Sequence, residues 1–173
     1  MAARICLQTK PCVSSLQMPR KASEARLTLV QVAAGVASGL FFAVAAGNEG
    51  VDARYSSPAS EPSVCTVGAS SMNDTMPFWS NYGSSIDVLA PGTNITSLNN
   101  DGGTAMHDGT SMATPHVAGL AAYLLGLQGG GTEALCEKIA NMGLQGVVEN
   151  VRKGTKNVLI NNGALSAYSN TFH

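Results

Sequence analysis

The sequence predicts an α/β domain with a mostly parallel sheet, on three observations. Ala25, Leu27, Leu29, Val30, Val32, Ala33, Val36 and Ala37 recur at helical spacing from Ser23 until Gly39, and an unbroken apolar run, Phe41 to Ala46, follows at once. A helix, a short turn and a fully apolar strand are half of a βαβ unit. Val64 to Val67 and Ile86 to Leu89 are further short strands separated by turn-rich sequence. The stretch His107 to Leu125 contains a helix rich in small residues (Ala113, Ala118, Gly119, Ala121, Ala122), as suits the crowded middle of a domain.

The bulk numbers agree with that class. The chain has 173 residues, 45% of them apolar and 12% charged, with 19 glycines. That length is one domain with a sizeable core, and the low charge with high apolar content excludes disorder. A formal net charge of −1 offers no electrostatic attraction for nucleic acid or an anionic membrane. No apolar run is long enough to span a bilayer. Residues 1–22 mix Lys, Arg, Pro and Cys without period and read as an unrelated, disordered tail. They lack the continuous apolar core of a signal peptide. The domain is expected over 23–173.

In chain order, 51–62 is polar and turn-rich, 70–77 is loop, and Pro91-Gly92 ends the strand that carries Asp87. Asn94 to Met106 reads as a hairpin turning at Asn100-Asp101-Gly102-Gly103. Gly129 to Gly131 break the central helix, Thr132 is placed to cap a helix running to Met142, and the remainder is irregular. Gly47-Asn48 stands at the C-terminal end of its strand, where open α/β sheets place ligands. Ser111 opens a helix, where backbone N–H groups and the dipole favour developing negative charge. A helix-start serine is commonly a cap, and as a nucleophile it needs a base to take its proton.

The segments Phe42-Ala43-Val44-Ala45-Ala46-Gly47-Asn48, Ser57 to Ala69, Phe78-Trp79-Ser80-Asn81-Tyr82-Gly83 and Gly109-Thr110-Ser111-Met112-Ala113-Thr114-Pro115-His116 resemble, in order, the subtilisin-like serine peptidases (subtilases), most closely their proteinase K branch. The resemblance runs from Val32 to near Val158 and implies the C-terminal part of a three-layer peptidase domain, truncated on its N-terminal side. It assigns Ser111 as the nucleophile and Asn48 as an oxyanion-hole donor beside the Ser111 N–H. Ala45, Ala46 and Gly47, with Ser56 and Ser57 opposite, fall at positions lining the primary specificity pocket. Pro62, Val64 and Asp87 match a calcium site made from two backbone carbonyls and a carboxylate, and calcium accepts such oxygen ligands. Cys65 and Cys136 match a disulfide pair, whereas Cys6 and Cys12 have no counterpart and read as free or unstructured. A polypeptide substrate, an extracellular location and no organic cofactor follow from the same resemblance.

The family's Asp-Thr/Ser-Gly and His-Gly-Thr boxes are absent, and Leu16-Gln17-Met18-Pro19-Arg20-Lys21 stands where a substrate-binding Ser-Leu-Gly-Gly segment belongs. The three histidines are His107, His116 and His173. His116 lies inside the helix, pointing away from the Ser111 hydroxyl, and His107 reads as a surface residue. Asp108 puts a carboxylate beside the nucleophile. A triad needs serine, histidine and carboxylate together, so the expectation is a serine endopeptidase sequence, acting through a Ser111 acyl-enzyme, that is inactive as this chain. The rival is a non-catalytic fragment that binds peptides or complements another peptidase chain. An esterase-type hydrolase ranks far behind, because its Gly-x-Ser-x-Gly elbow would need glycine where Ala113 stands. Asn73-Asp74-Thr75 and Asn94-Ile95-Thr96 are glycosylation sequons, meaningful only for a secreted chain.

Overall fold

The computed structural model describes residues 3–6, 12–16, 22–99 and 101–163, with side chains described from Leu29 onward. Seven strands form the main sheet: β1 (Ala3–Cys6), β2 (Cys12–Leu16), β3 (Phe41–Ala45), β4 (Cys65–Ser70), β5 (Val88–Pro91), β8 (Leu144–Gln145) and β9 (Val158–Leu159). Their spatial order is β1-β2-β3-β4-β5-β9-β8. From β2 to β9 every pairing is parallel, and an antiparallel strand lies at each edge. The remaining strands, β6 (Ile95–Leu98) and β7 (Thr104–His107), form the separate hairpin that the sequence predicts. Its turn is closed by the Asn99 N–H donating to the Gly103 carbonyl.

Alternation along the strands separates two faces. Phe41, Ala43, Cys65, Val67, Ala69, Val88 and Ala90 share one buried cluster with Ala113, Val117, Leu120, Ala121 and Leu124 of α2 (Thr110–Gln128). The small α2 residues let this helix lie close to the middle of the sheet. Leu135 and Ile139 of α3 (Leu135–Met142) join the same cluster. On the opposite face, Val44 packs with Val32 of α1 (Ala22–Ala37) and Val64. Leu89, Ile86 and Ala46 form a third cluster with Met76 and Val148. The result is helix, sheet, helix in three layers.

Several expectations are corrected. Within the tail expected over 1–22, residues 3–6 and 12–16 are strands, β2 pairing along the edge of β3. An apolar strand of a parallel sheet leaves its N–H and C=O groups unpaired unless a neighbour covers that edge, and Cys12-Val13-Ser14-Ser15-Leu16 supplies the neighbour. Cys6 and Cys12 stand opposite each other in the β1–β2 register; the state of their thiols lies outside the described side chains. The strand expected at Ile86 starts at Val88, so Asp87 immediately precedes it. Thr132 does not cap α3. Ala134, in the left-handed region at φ 57°, occupies the cap position, and the Thr132 hydroxyl donates to the Gly39 carbonyl at 3.1 Å. The chain after Met142 contributes β8 and β9, too short to show a period. The helix over 22–37 and its stop at Gly39, with φ 87°, stand as the sequence predicts.

Cys65 of β4 is bonded to Cys136 of α3, with a Cα–Cα distance of 5.5 Å across a separation of 71 residues. On the chain-entropy account, a loop of that length is worth about 4 kcal/mol. The double variant Cys65→Ala, Cys136→Ala is therefore expected to lose about 3–4 kcal/mol of unfolding free energy. Urea denaturation of both proteins, compared at matched m-values, checks it.

Candidate active site

The site is built where the C-terminal end of β3 meets the N-terminus of α2. Beyond Ala45 the chain enters Ala46, Gly47 and Asn48; Gly47 sits at φ 107°, a region open to glycine at little cost. The Gly47 N–H donates to the Thr110 hydroxyl at 3.1 Å. Thr110 returns two bonds, its N–H and its hydroxyl each donating to Asn48 Oδ1 at 2.9 Å. The Asn48 carboxamide is thus fixed through its oxygen, which leaves its NH₂ group as the outward donor. That group lies beside Gly109, where an added Cβ would come within 3.4 Å of Asn48 Nδ2.

Ser111 follows Thr110 in the first turn of α2 and is half-buried. Its N–H belongs to the set that a helix start leaves without an intrahelical acceptor. Its hydroxyl has no hydrogen-bond partner among the described residues. The Ser111 N–H and the Asn48 side chain thus both lie beside Gly109 at the start of α2. Close packing behind the site keeps α2 there: a Cβ on Gly92 would lie 2.7 Å from Ala69 Cβ and 2.9 Å from the Gly109 carbonyl.

The histidines and acids take other partners. His116 Nδ1 bonds the Met112 carbonyl at 2.9 Å, a local contact one turn back along α2. His107 is exposed at the end of β7, opposite Ile95. His173 lies outside the described residues. Asp108 accepts the Asn94 N–H and so ties the base of the β6–β7 hairpin, rather than turning toward Ser111. Asp52 pairs with Arg54 at 3.1 Å. Among the described residues no imidazole is bonded to a carboxylate or to Ser111.

The residues expected to line the specificity pocket come together, but not all are open. Ala45, Ala46 and Ser56 are buried, and Ser57 is half-buried. Ser56 is held by Asn81, a residue inside one of the segments that carry the family resemblance but given no role of its own from the sequence. This side chain is fully buried. Its Oδ1 accepts the N–H groups of Glu49 and Val51 at 3.1 and 2.9 Å. Its Nδ2 donates to the Ala46 carbonyl, the Ser56 hydroxyl and Glu49 Oε2, at 2.9, 3.1 and 3.0 Å. The motif marks Asn81 without saying what it bonds; its five side-chain bonds, to Ala46, Glu49, Val51 and Ser56, become visible only on folding.

Pro62, Val64 and Asp87 line one cavity of about 660 Å³. Both oxygens of the Asp87 carboxylate are already engaged, Oδ2 by the Thr66 N–H at 3.0 Å and Oδ1 by Lys156 Nζ at 2.9 Å. The donor set is of the kind calcium takes, but its one carboxylate carries an ammonium partner. The fit to a metal ion is therefore partial.

The model of the subtilase family matches residues 13–161. This chain belongs to the subtilase family. The subtilase is 58% identical over 130 residues to proteinase T of Parengyodontium album, an alignment covering 75% of this chain and 44% of that protein. It is 56% identical over 133 residues to the cuticle-degrading protease of Metarhizium anisopliae, covering 76% of this chain and 34% of that one. A cold-adapted subtilisin-like serine proteinase of known crystal structure superposes with a TM-score of 0.76 at 36% identity, over 84% of this chain and 53% of that chain. The chain thus spans less than half the length of the curated relatives it matches. The family match also begins at residue 13, inside the segment read from sequence as unrelated. Among the described residues no helix is long and apolar enough to cross a membrane.

Two substitutions test the local architecture. Asn81→Leu removes five hydrogen bonds from a fully buried side chain and leaves the Glu49 and Val51 N–H groups without their acceptor, so it should cost about 3 kcal/mol of stability by denaturant unfolding. Thr110→Val keeps the shape but loses the hydroxyl bonds to Gly47 and Asn48; about 1–2 kcal/mol is expected by the same measurement.

Proposed function

We propose that this chain carries the nucleophile and oxyanion-binding half of a subtilase serine endopeptidase site. The observation that supports the reading is the pair of bonds from Thr110 to Asn48 Oδ1, which holds the Asn48 side chain against the start of α2, next to Ser111, and leaves its NH₂ group as the donor. In peptide hydrolysis the Ser111 Oγ adds to the scissile carbonyl carbon, and its proton passes to a base. The carbonyl oxygen becomes an anion held by those two N–H groups, and collapse expels the amine and leaves an acyl-enzyme that water cleaves. A side-chain donor of this kind is worth about 3–4 kcal/mol in the transition state, a magnitude measured in subtilisin, itself a subtilase. The substrate is an extended polypeptide, bound by backbone hydrogen bonds beside the site.

Among the described residues no group is placed to accept that proton. With His116 tied to Met112 and Asp108 tied to Asn94, the described residues hold nothing that activates Ser111. This supports a chain that has the site's electrophilic half and does not turn over peptide by itself. The same observation favours the second reading, a non-catalytic chain that binds peptide or completes another peptidase chain. The Cys65–Cys136 bond suits an oxidising, extracellular setting.

A fluorophosphonate probe separates these readings. Purified chain with an intact thermal transition is expected to stay unlabelled at Ser111 by mass spectrometry, indistinguishable from Ser111→Ala. Stoichiometric labelling at Ser111 would overturn the unactivated reading while supporting the nucleophile. Labelling that appears only after adding a second subtilase chain would support complementation.

A further inference from the structure

We propose that the Lys156 ammonium is the built-in cation of the site formed by Pro62, Val64 and Asp87, and that calcium must compete with it for the Asp87 carboxylate. This goes beyond the peptidase reading and rests on other residues. Asp87 is held rigidly: its N–H donates to the Thr66 carbonyl at 2.9 Å, and its Oδ2 accepts the Thr66 N–H at 3.0 Å. Its Oδ1 is the oxygen left to face the cavity, and Lys156 Nζ lies 2.9 Å from it. The sheet itself delivers the lysine. Leu89 of β5 pairs with Leu159 of β9 in a parallel register, which draws the residues just before each strand alongside one another.

A carboxylate with one open oxygen can neutralise one ammonium or help bind one metal ion. Calcium asks for six to eight oxygen ligands, and Asp87, Pro62, Val64 and Glu137 of α3 are among the residues lining the cavity. With Lys156 in place, an arriving dication meets a like charge at the oxygen it needs, which weakens its binding. The Lys156 side chain is 55% exposed, so it can swing into solvent and yield the site at sufficient calcium. Competition, rather than blockade, follows. Because an ion pair so exposed contributes little to stability, neutralising Lys156 removes the competitor without unfolding the chain.

The test is thermal unfolding of the full chain, with EGTA or with millimolar calcium, for the unsubstituted protein, Lys156→Met, Lys156→Gln and the double variant Asp87→Asn, Lys156→Met. Equilibrium dialysis with radioactive calcium gives the affinities directly. Expected are a Tm that moves by less than about 1 °C with calcium in the unsubstituted protein and a rise of about 3 °C or more in both Lys156 variants, with none in the double variant. Dialysis should show calcium affinity at least about tenfold higher in the Lys156 variants, roughly 1.4 kcal/mol. An equal calcium response with and without Lys156 would overturn the proposal. So would the absence of any calcium response in both Lys156 variants.

Discussion

The buried amide of Asn81 holds together the part of the molecule on which the site depends. The Ala46 carbonyl and the Glu49 and Val51 N–H groups lie at and beyond the end of β3, where the Asn81 side chain is their partner. Burying them unpaired would cost about 1–3 kcal/mol each. Asn81 accepts from two of them and donates to the third, and its remaining donor capacity goes to Ser56 and Glu49. One side chain therefore shapes both the turn carrying Asn48 and the wall carrying Ser56. Arg152 supports the outside of the same turn, donating to the Gly50 and Phe78 carbonyls and lying over the Tyr82 ring at 4.8 Å.

Two polar systems meet at the end of β3. Asn81 satisfies the turn from below, and Thr110 ties it to α2 from the side through Gly47 and Asn48. These bonds hold the Asn48 amide rigidly against the start of α2. The same economy of partners explains the fate of the other polar residues. Asp108 and His116 lie close to Ser111 in sequence, yet each is consumed by a local bond that shapes the chain.

A second centre of order lies at the far side of β4 and β5. The Cys65–Cys136 bond ties α3 to the sheet beside the cavity that Asp87, Lys156 and the backbone near Pro62 and Val64 enclose. The covalent link thus fastens α3 to the parallel core, and the Asp87–Lys156 pair sits beside it, and both depend on chain segments that meet only after folding.

The sequence by itself determined the fold class, α1, β3, the β6–β7 hairpin and α2, because each is a local signal: a helical period ended by Gly39, an apolar run, a glycine turn, a small-residue helix opened by Gly109. It also determined the family, through motifs that include Asn48 and Ser111. Tertiary structure alone decided what each polar side chain bonds. Asn81 sits in a recognisable motif, but its bonds to the turn over 46–51 and to Ser56 exist only once those stretches close around it. Lys156 and Asp87 are 69 positions apart and meet only through the β5–β9 register. The strands at 3–6, 12–16, 144–145 and 158–159 are too short or too mixed to carry a period, and sheet neighbours, rather than their own residues, make them strands. Hydrophobic periodicity is written along the chain, whereas hydrogen-bond satisfaction is a property of the packed whole.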